Sequence, residues 1–160
     1  MQIYFHLATG LLLRQSAFPK APLVPVLLVS IAPDLPMILN YSVQAIRKRG
    51  RGLVRDDLCS WRWTYPMSLF THSLFALSFI AMAIALLAPI DSAWIVGTYA
   101  SHLALDYFSH ARDPYPPFYP LSHWALCRRF SYYEPERHAV WVNRLMSLAL
   151  ASGFFLLWLR

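Results

Sequence analysis

Long apolar stretches joined by short polar segments make up most of this chain of 160 residues. A helix needs about 20 residues to cross the hydrocarbon layer of a membrane, with about 17 as the lower limit. Backbone polar groups must find partners within a lipid-embedded segment, so we expect these stretches to be helical. They run from Leu23 to Leu39, from Met67 to Ile90, from Ala93 to Phe108 and from Ala139 to Leu159, with a shorter one from Met1 to Leu13. The pattern predicts an all-α fold, a membrane-embedded bundle of about five helices in which residues 1–160 form a single domain.

Prolines indicate where these helices end or bend. Pro36 closely follows Asp34, and we expect it to end or bend the helix that begins near Leu23. Four prolines fall within residues 113–120, and this density predicts an ordered loop that is not helical.

The composition is typical of a membrane protein. Hydrophobic residues make up 58% of the chain and charged residues only 14%, which is too little polar surface to cover a soluble domain of this size. The net charge of +6 would suit a nucleic-acid partner, but ten of the 14 Lys and Arg residues lie in the segments 47–62 and 111–138. The positive-inside rule makes both segments cytoplasmic loops. We therefore predict a multi-pass protein of the bacterial inner (cytoplasmic) membrane that contacts membrane lipids, and we predict no nucleic-acid partner.

Histidine and aspartate residues interrupt four of the apolar stretches. A charged residue at the centre of a membrane helix costs roughly 2.5–3.5 kcal/mol on insertion scales. Taken singly, each would be interpreted as a buried polar residue that a neighbouring helix satisfies. The residues are His6, Asp34, His72, His102 and Asp106.

The positions of these residues along their helices suggest a common site. Asp34 is expected near the end of the helix that enters the first basic loop, and His72 near the start of the helix that leaves it. His102 and Asp106 are expected near the end that enters the second basic loop. A first helix antiparallel to the next would bring His6 to the same side. All five residues would then lie at one depth, near the cytoplasmic face.

The spacing of His102 and Asp106 favours a metal site. Four residues turn a helix by about 40° beyond a full turn and rise about 6 Å, so the two side chains share a face and can bind one cation or bridge two. His110 lies four residues after Asp106, on the same face of the helix. It is either a further ligand or a solvated interfacial residue. Histidines with carboxylates suit a divalent metal, zinc first, with manganese or iron as alternatives. The predicted metal ligands are His6, Asp34, His72, His102, Asp106 and His110.

Four short motifs, in this order along the chain, resemble the YdjM-like family, whose members are described as inner-membrane metal-dependent hydrolases. They are an early His6, the pair Pro33-Asp34, the triplet Thr71-His72-Ser73, and His102 followed four residues later by Asp106. They span residues 6–106, about two thirds of the chain. That family is distantly similar to the group of zinc-dependent phospholipase C and single-strand nucleases, which are all-helical and bind a cluster of zinc ions through His and Asp, including a helix in which Asp follows His by four residues. The resemblance implies a hydrolase of phosphoesters with these residues as ligands.

The chain departs from the family in one motif. Members usually carry His-Arg-Gly just before the Thr-His-Ser triplet, where this chain has Tyr-Pro-Met-Ser-Leu-Phe at residues 65–70. A function that depends on that His-Arg pair is lost or relocated here.

The leading functional hypothesis is a membrane-bound metal-dependent hydrolase that acts on a phosphoester or lipid-like substrate. A metal-activated water would attack the substrate, and a carboxylate of the cluster, Asp34 or Asp106, would act as the general base. The basic segments would attract anionic headgroups or phosphoesters.

Two other hypotheses belong to different classes. His72 and His102 on facing helices would suit the axial positions of a haem in an electron-transfer protein. A non-catalytic membrane scaffold or ion-relay protein would use the same His and Asp residues for a structural metal or for moving ions.

Overall fold

The fold is described by a computed structural model that covers residues 3–47, 64–87, 92–111, 114–125, 131 and 138–159. The regular elements in these ranges are all helical, which confirms the predicted all-α class. The elements are α1 (Ile3–Ser16), α2 (Leu23–Ile31), a 3-10 turn (Ala32–Asp34), α3 (Leu35–Arg47), α4 (Thr64–Thr71), α5 (Leu74–Leu87), α6 (Ala93–Ser109) and α7 (Ala139–Trp158).

Two helical segments in the described part are long and apolar enough to cross a membrane. They are Leu23–Arg47, with 25 residues, and Ala139–Trp158, with 20 residues. A third span results if α4 and α5, which are bent by 63° relative to each other, cross together. Helix α1 has 14 residues, below the length that spans the hydrocarbon layer. A membrane bundle of about five spanning helices is therefore not established.

The predicted helix that begins at Leu23 is longer than expected. It continues through the 3-10 turn to Arg47 instead of ending near Leu39. Pro36 does not end it, because this proline lies in the first turn of α3, where a backbone N–H needs no helical partner. Asp34 consequently lies near the middle of the segment, and the prediction that it lies near the helix end was wrong.

The prediction that the apolar stretch from Met67 forms a single helix was also wrong, because a break at His72 and Ser73 divides it. Ser73 caps α5: its Oγ accepts a hydrogen bond from Ala76 N–H at 3.3 Å and donates one to the Phe70 carbonyl at 2.7 Å. Leu74 N–H donates to the carbonyl of Pro117 at 2.8 Å. The proline-rich segment thus packs at the break, and its described residues 114–125 are non-helical, as predicted.

The remaining stretches agree with the predicted helices. Helices α6 and α7 begin where predicted and end within one residue of the predicted boundary, while α1 runs slightly beyond Leu13. Residues 48–62 of the first basic segment, and residues 112–113, 126–130 and 132–137 of the second, lie outside the described residues.

The described residues have an inverted distribution of polarity. Large apolar side chains are exposed along the helices, for example Ile46 at 77%, Leu87 at 86% and Trp158 at 79%. Polar residues outnumber apolar ones among the buried side chains, and His72 and Asp106 are completely enclosed. An apolar exterior around a polar interior is the arrangement expected of a membrane protein whose polar residues face the bundle interior.

Helices α1, α2 and α6 pack against one another around this interior. His6 approaches Asp34, and Gly10 approaches Ser30, so α1 and α2 run antiparallel as predicted. A Cβ added to Gly10 would lie 1.9 Å from Ser30 Oγ. Glycine therefore permits the close approach that brings His6, one turn earlier on the same face, to the interior.

We predict that Gly10→Ala destabilises the fold by about 1–3 kcal/mol, the usual cost of overpacking a tight contact. The added methyl group forces α1 away from α2, and combining the change with Ser30→Ala should restore part of the stability because it removes the clashing hydroxyl. Thermal unfolding in detergent, followed by circular dichroism, measures both effects.

Gly153→Ala is the matched control for this prediction. Its Cβ would meet Leu12 Cδ2 at 2.9 Å, and the end of a leucine side chain can move aside. We expect a smaller loss than for Gly10→Ala. A Gly10→Ala protein as stable as the wild type would contradict the close packing of α1 against α2.

Candidate metal centre

Four of the predicted site residues form one compact group. Asp34 comes from the 3-10 turn, His72 from the break between α4 and α5, and His102 and Asp106 from the C-terminal half of α6. One potential ligand atom from each residue lies within 4.8 Å of all the others. The structure therefore contains a buried His/Asp group that could hold a metal ion.

The spacing of these atoms fits a single small cation. Bonds of about 2.0–2.2 Å in a tetrahedral site place neighbouring ligand atoms roughly 3.3–3.6 Å apart. His72 Nε2 lies 3.3 Å from His102 Nε2 and 3.4 Å from Asp34 Oδ1. Asp106 Oδ2 lies 3.1 Å from His72 Nε2 and 3.4 Å from His102 Nε2, and Asp34 Oδ1 lies 3.8 Å from His102 Nε2. A cation among these atoms requires only small shifts of the side chains.

Backbone carbonyls fix the tautomers of both imidazoles. His72 Nδ1 donates to the Ser68 carbonyl at 2.8 Å, and His102 Nδ1 donates to the Ser30 carbonyl at 2.7 Å. A carbonyl oxygen only accepts hydrogen bonds, so the proton of each neutral ring must be on Nδ1. The lone pair of each ring is then on Nε2, which faces the group. Histidine ligands of metals are commonly oriented by such a bond from the other ring nitrogen.

The two Nε2 atoms consequently face each other with lone pairs at 3.3 Å. Two acceptors cannot bond to each other, so the contact becomes favourable only with a proton on one nitrogen or a cation between them. With neutral imidazoles the four side chains also carry two negative charges in a buried region, and a buried charge without a partner is unfavourable. A divalent cation satisfies both requirements.

His6 and His110 also reach this group. The Nε2 atoms of His6 and His110 lie 3.3 Å and 3.6 Å from Asp106 Oδ1, and both residues are buried. Burial excludes the alternative that His110 is a solvated interfacial residue. All six predicted site residues therefore meet at one place, although only four belong to the group whose ligand atoms are all mutually close.

A surrounding set of hydrogen bonds, which the sequence analysis missed, positions these residues. Thr71 Oγ1 donates to the Pro33 carbonyl at 2.8 Å and so ties the end of α4 to the turn that carries Asp34. Tyr107 donates to the His72 carbonyl at 2.6 Å, and Tyr99 donates to the Thr71 carbonyl at 2.5 Å. The helical spacing of Tyr99 from His102 and Asp106 was an available signal, whereas Tyr107 directly follows Asp106 and gave none.

Tyr115 covers one side of the group. Its ring stacks on the His72 imidazole with a centroid distance of 3.8 Å and an angle of 7° between the planes. The proline-rich segment that carries Tyr115 thus shields His72 as well as supporting the break in the chain.

The geometry disfavours the haem hypothesis. A porphyrin plane would have to lie between the two axial nitrogens of His72 and His102. Asp34 Oδ1 and Asp106 Oδ2 already lie within 3.4 Å of His72 Nε2 and line that space. A haem needs an apolar slot, which these carboxylates do not provide.

Comparison of the chain with protein-family models, with curated protein sequences and with solved structures finds no match.

We predict that Thr71→Val weakens metal binding by about 10–100-fold, as mutation of residues that support metal ligands commonly does. Valine has nearly the same shape but cannot bond to the Pro33 carbonyl, so the turn that carries Asp34 loses its link to α4. Competition of zinc between the purified protein and a fluorescent chelator measures the affinity.

Ser42→Ala is the control, since the exposed Ser42 hydroxyl bonds to the Ile38 carbonyl within its own helix. We expect its affinity for zinc to equal that of the wild type. Equal affinities for Thr71→Val and Ser42→Ala would show that the link to Pro33 has no part in holding the site.

Proposed function

We propose that the chain is a membrane-bound metal-dependent hydrolase of the YdjM-like type, in the bacterial inner membrane, acting on a phosphoester or lipid-like substrate. The observation that carries the proposal is the orientation of His72 and His102. Each donates its Nδ1 proton to a backbone carbonyl and presents Nε2 to two carboxylates. Mixed nitrogen and oxygen ligands of this kind suit zinc, with manganese or iron as alternatives.

The cation would make a water molecule nucleophilic at neutral pH and would polarise a phosphoryl or carbonyl oxygen of the substrate. The protein's own contribution begins with the exclusion of bulk water. His72, His102 and Asp106 are buried, which strengthens every electrostatic interaction within the site. The hydrogen bonds from Nδ1 direct both Nε2 atoms toward the position that the cation would occupy.

Asp34 is better placed than Asp106 to act as the general base. The Asp34 side chain is 13% exposed, whereas the Asp106 side chain is 1% exposed and has four imidazoles around it. A base must reach the attacking water, and the more accessible carboxylate does so. Asp34 would accept the proton of that water through the oxygen that does not face His72.

The location of the cluster suits a lipid-derived substrate. Asp34 belongs to the long apolar segment Leu23–Arg47, one of the candidate membrane spans. Exposed apolar side chains such as Leu28, Leu35 and Leu39 lie on the same segment. A phosphoester attached to an acyl chain could approach along such a surface without leaving the apolar phase.

We predict that the zinc-loaded protein hydrolyses phosphoesters and that Asp34→Asn lowers the rate by about 10²–10⁴-fold, the usual contribution of a general base. The amide keeps an oxygen that can contact the cation but cannot accept the proton. Release of phosphate or alcohol from aryl phosphoesters and from phospholipids in mixed micelles is measured, with metal content determined on the same samples.

His123→Ala is the control because His123 is exposed, and we expect normal metal content and rate. A wild-type protein that contains metal but hydrolyses no phosphoester or lipid ester would contradict the hydrolase and favour a structural metal in a membrane scaffold. A protein that folds but takes up no metal would contradict the metal site itself.

A further inference from the structure

Helix α7 lies on the outside of the protein. Ala139, at its first position, is buried, and Gly153 marks the place where the helix packs against Leu12 of α1. The other residues of α7 are half-buried or exposed. Because α7 is long and apolar enough to cross a membrane, most of this surface faces lipid when the helix spans.

A single charged residue interrupts the apolar sequence of α7. This residue is Arg144, which is exposed. An arginine side chain stays charged in proteins, and a charge in contact with lipid is unfavourable unless the side chain reaches a polar partner or the membrane surface. Arg144 lies about 8 Å along the helix axis from Ala139, where α7 begins. A long side chain reaches the surface from this depth.

The guanidinium of Arg144 is directed towards the N-terminal end of α7. Its Cζ atom lies 5.5 Å from the centre of the Trp141 ring, which comes three residues earlier in the helix. A guanidinium within about 6 Å of an indole ring is attracted to it, and tryptophan is enriched where a membrane meets water. Trp141 is itself 62% exposed. The Arg144–Trp141 pair therefore holds a positive charge at the level of the lipid headgroups.

An apolar stripe continues from the pair along the same face of α7. Leu145 and Leu148, four and seven residues after Trp141, are each 64% exposed. This spacing places them in line with the pair on one side of the helix. A phospholipid has the same order of chemistry, a phosphate followed by acyl chains. The surface is therefore complementary to a phospholipid in both charge and polarity.

We propose that the Arg144–Trp141 pair is a binding site for an anionic phospholipid, with the phosphate at Arg144 and an acyl chain along Leu145 and Leu148. The guanidinium presents planar N–H donors that match two phosphate oxygens, while the Trp141 ring holds it near the headgroups. A headgroup with a net negative charge binds more tightly than a zwitterionic one, whose ammonium group offsets the attraction. The site requires neither the metal centre nor an enzymatic activity.

Native mass spectrometry of the full chain tests the proposal. The protein is released from detergent with equal concentrations of phosphatidylglycerol and phosphatidylcholine that carry the same acyl chains. We expect one phosphatidylglycerol to bind about 5-fold more tightly than phosphatidylcholine, the preference that one basic residue near a membrane surface provides. Arg144→Gln should abolish this preference, because the amide keeps the side chain polar but carries no charge.

Two variants of Trp141 test the role of its ring. Trp141→Leu keeps an apolar side chain but removes the aromatic face, and we expect it to lower the preference by about 2-fold. Trp141→Phe retains an aromatic face and should keep most of the preference. Lys20→Gln is the matched control, since it removes one positive charge from an exposed residue outside α7 and should bind both lipids as the wild type does.

The outcomes decide between this site and its alternatives. Loss of the preference in Arg144→Gln but not in Lys20→Gln supports the site. A preference that Arg144→Gln leaves unchanged would place the lipid elsewhere, and one that both variants lower equally would reflect overall charge; either result overturns the proposal. A wild-type protein that binds both lipids equally overturns it as well. A dimer that contains no lipid and dissociates in Arg144→Gln would assign the pair to a contact between two copies instead.

Discussion

The approach of His72 Nε2 to His102 Nε2, at 3.3 Å and between two carboxylates, is the contact on which the rest of the structure depends. Both nitrogens are acceptors, because the Nδ1 proton of each ring is committed to a backbone carbonyl. His72, His102 and Asp106 are buried, so bulk water does not screen this contact. A cation bound there would satisfy both nitrogens and both carboxylates, and the features of the fold around this cluster hold the four side chains in place.

The two breaks within the apolar helical segments lie at ligands. The 3-10 turn inside the segment Leu23–Arg47 carries Asp34, and the break between α4 and α5 carries His72. Gly10 lets α1 approach α2 closely enough to bring in His6. Irregular backbone within an apolar region is tolerated where it lies against other protein groups, and here bonds from Thr71 and Tyr107 stabilise it. The departures from ideal helices are thus explained by the site.

The sequence predicted the all-α class and the members of the cluster for a definite physical reason. Ionisable residues are costly in apolar helices, so their presence there indicates a shared polar interior. The local geometry was not predictable in the same way. Pro36 suggested an end to its helix, yet a proline in a first helical turn is compatible with continuation. The break at His72 depends on contacts with Pro33 and Pro117, which are distant in the sequence.

Anomalous diffraction from crystals of the zinc-loaded protein, recorded on either side of the zinc absorption edge, tests the central claim most directly. The account predicts a strong peak among His72 Nε2, His102 Nε2, Asp34 Oδ1 and Asp106 Oδ2, at about 2.0–2.2 Å from each. A fully loaded crystal with zinc bound elsewhere and no peak among these four atoms would contradict it, and the buried cluster would then have to be interpreted as a hydrogen-bonded network that contains no metal.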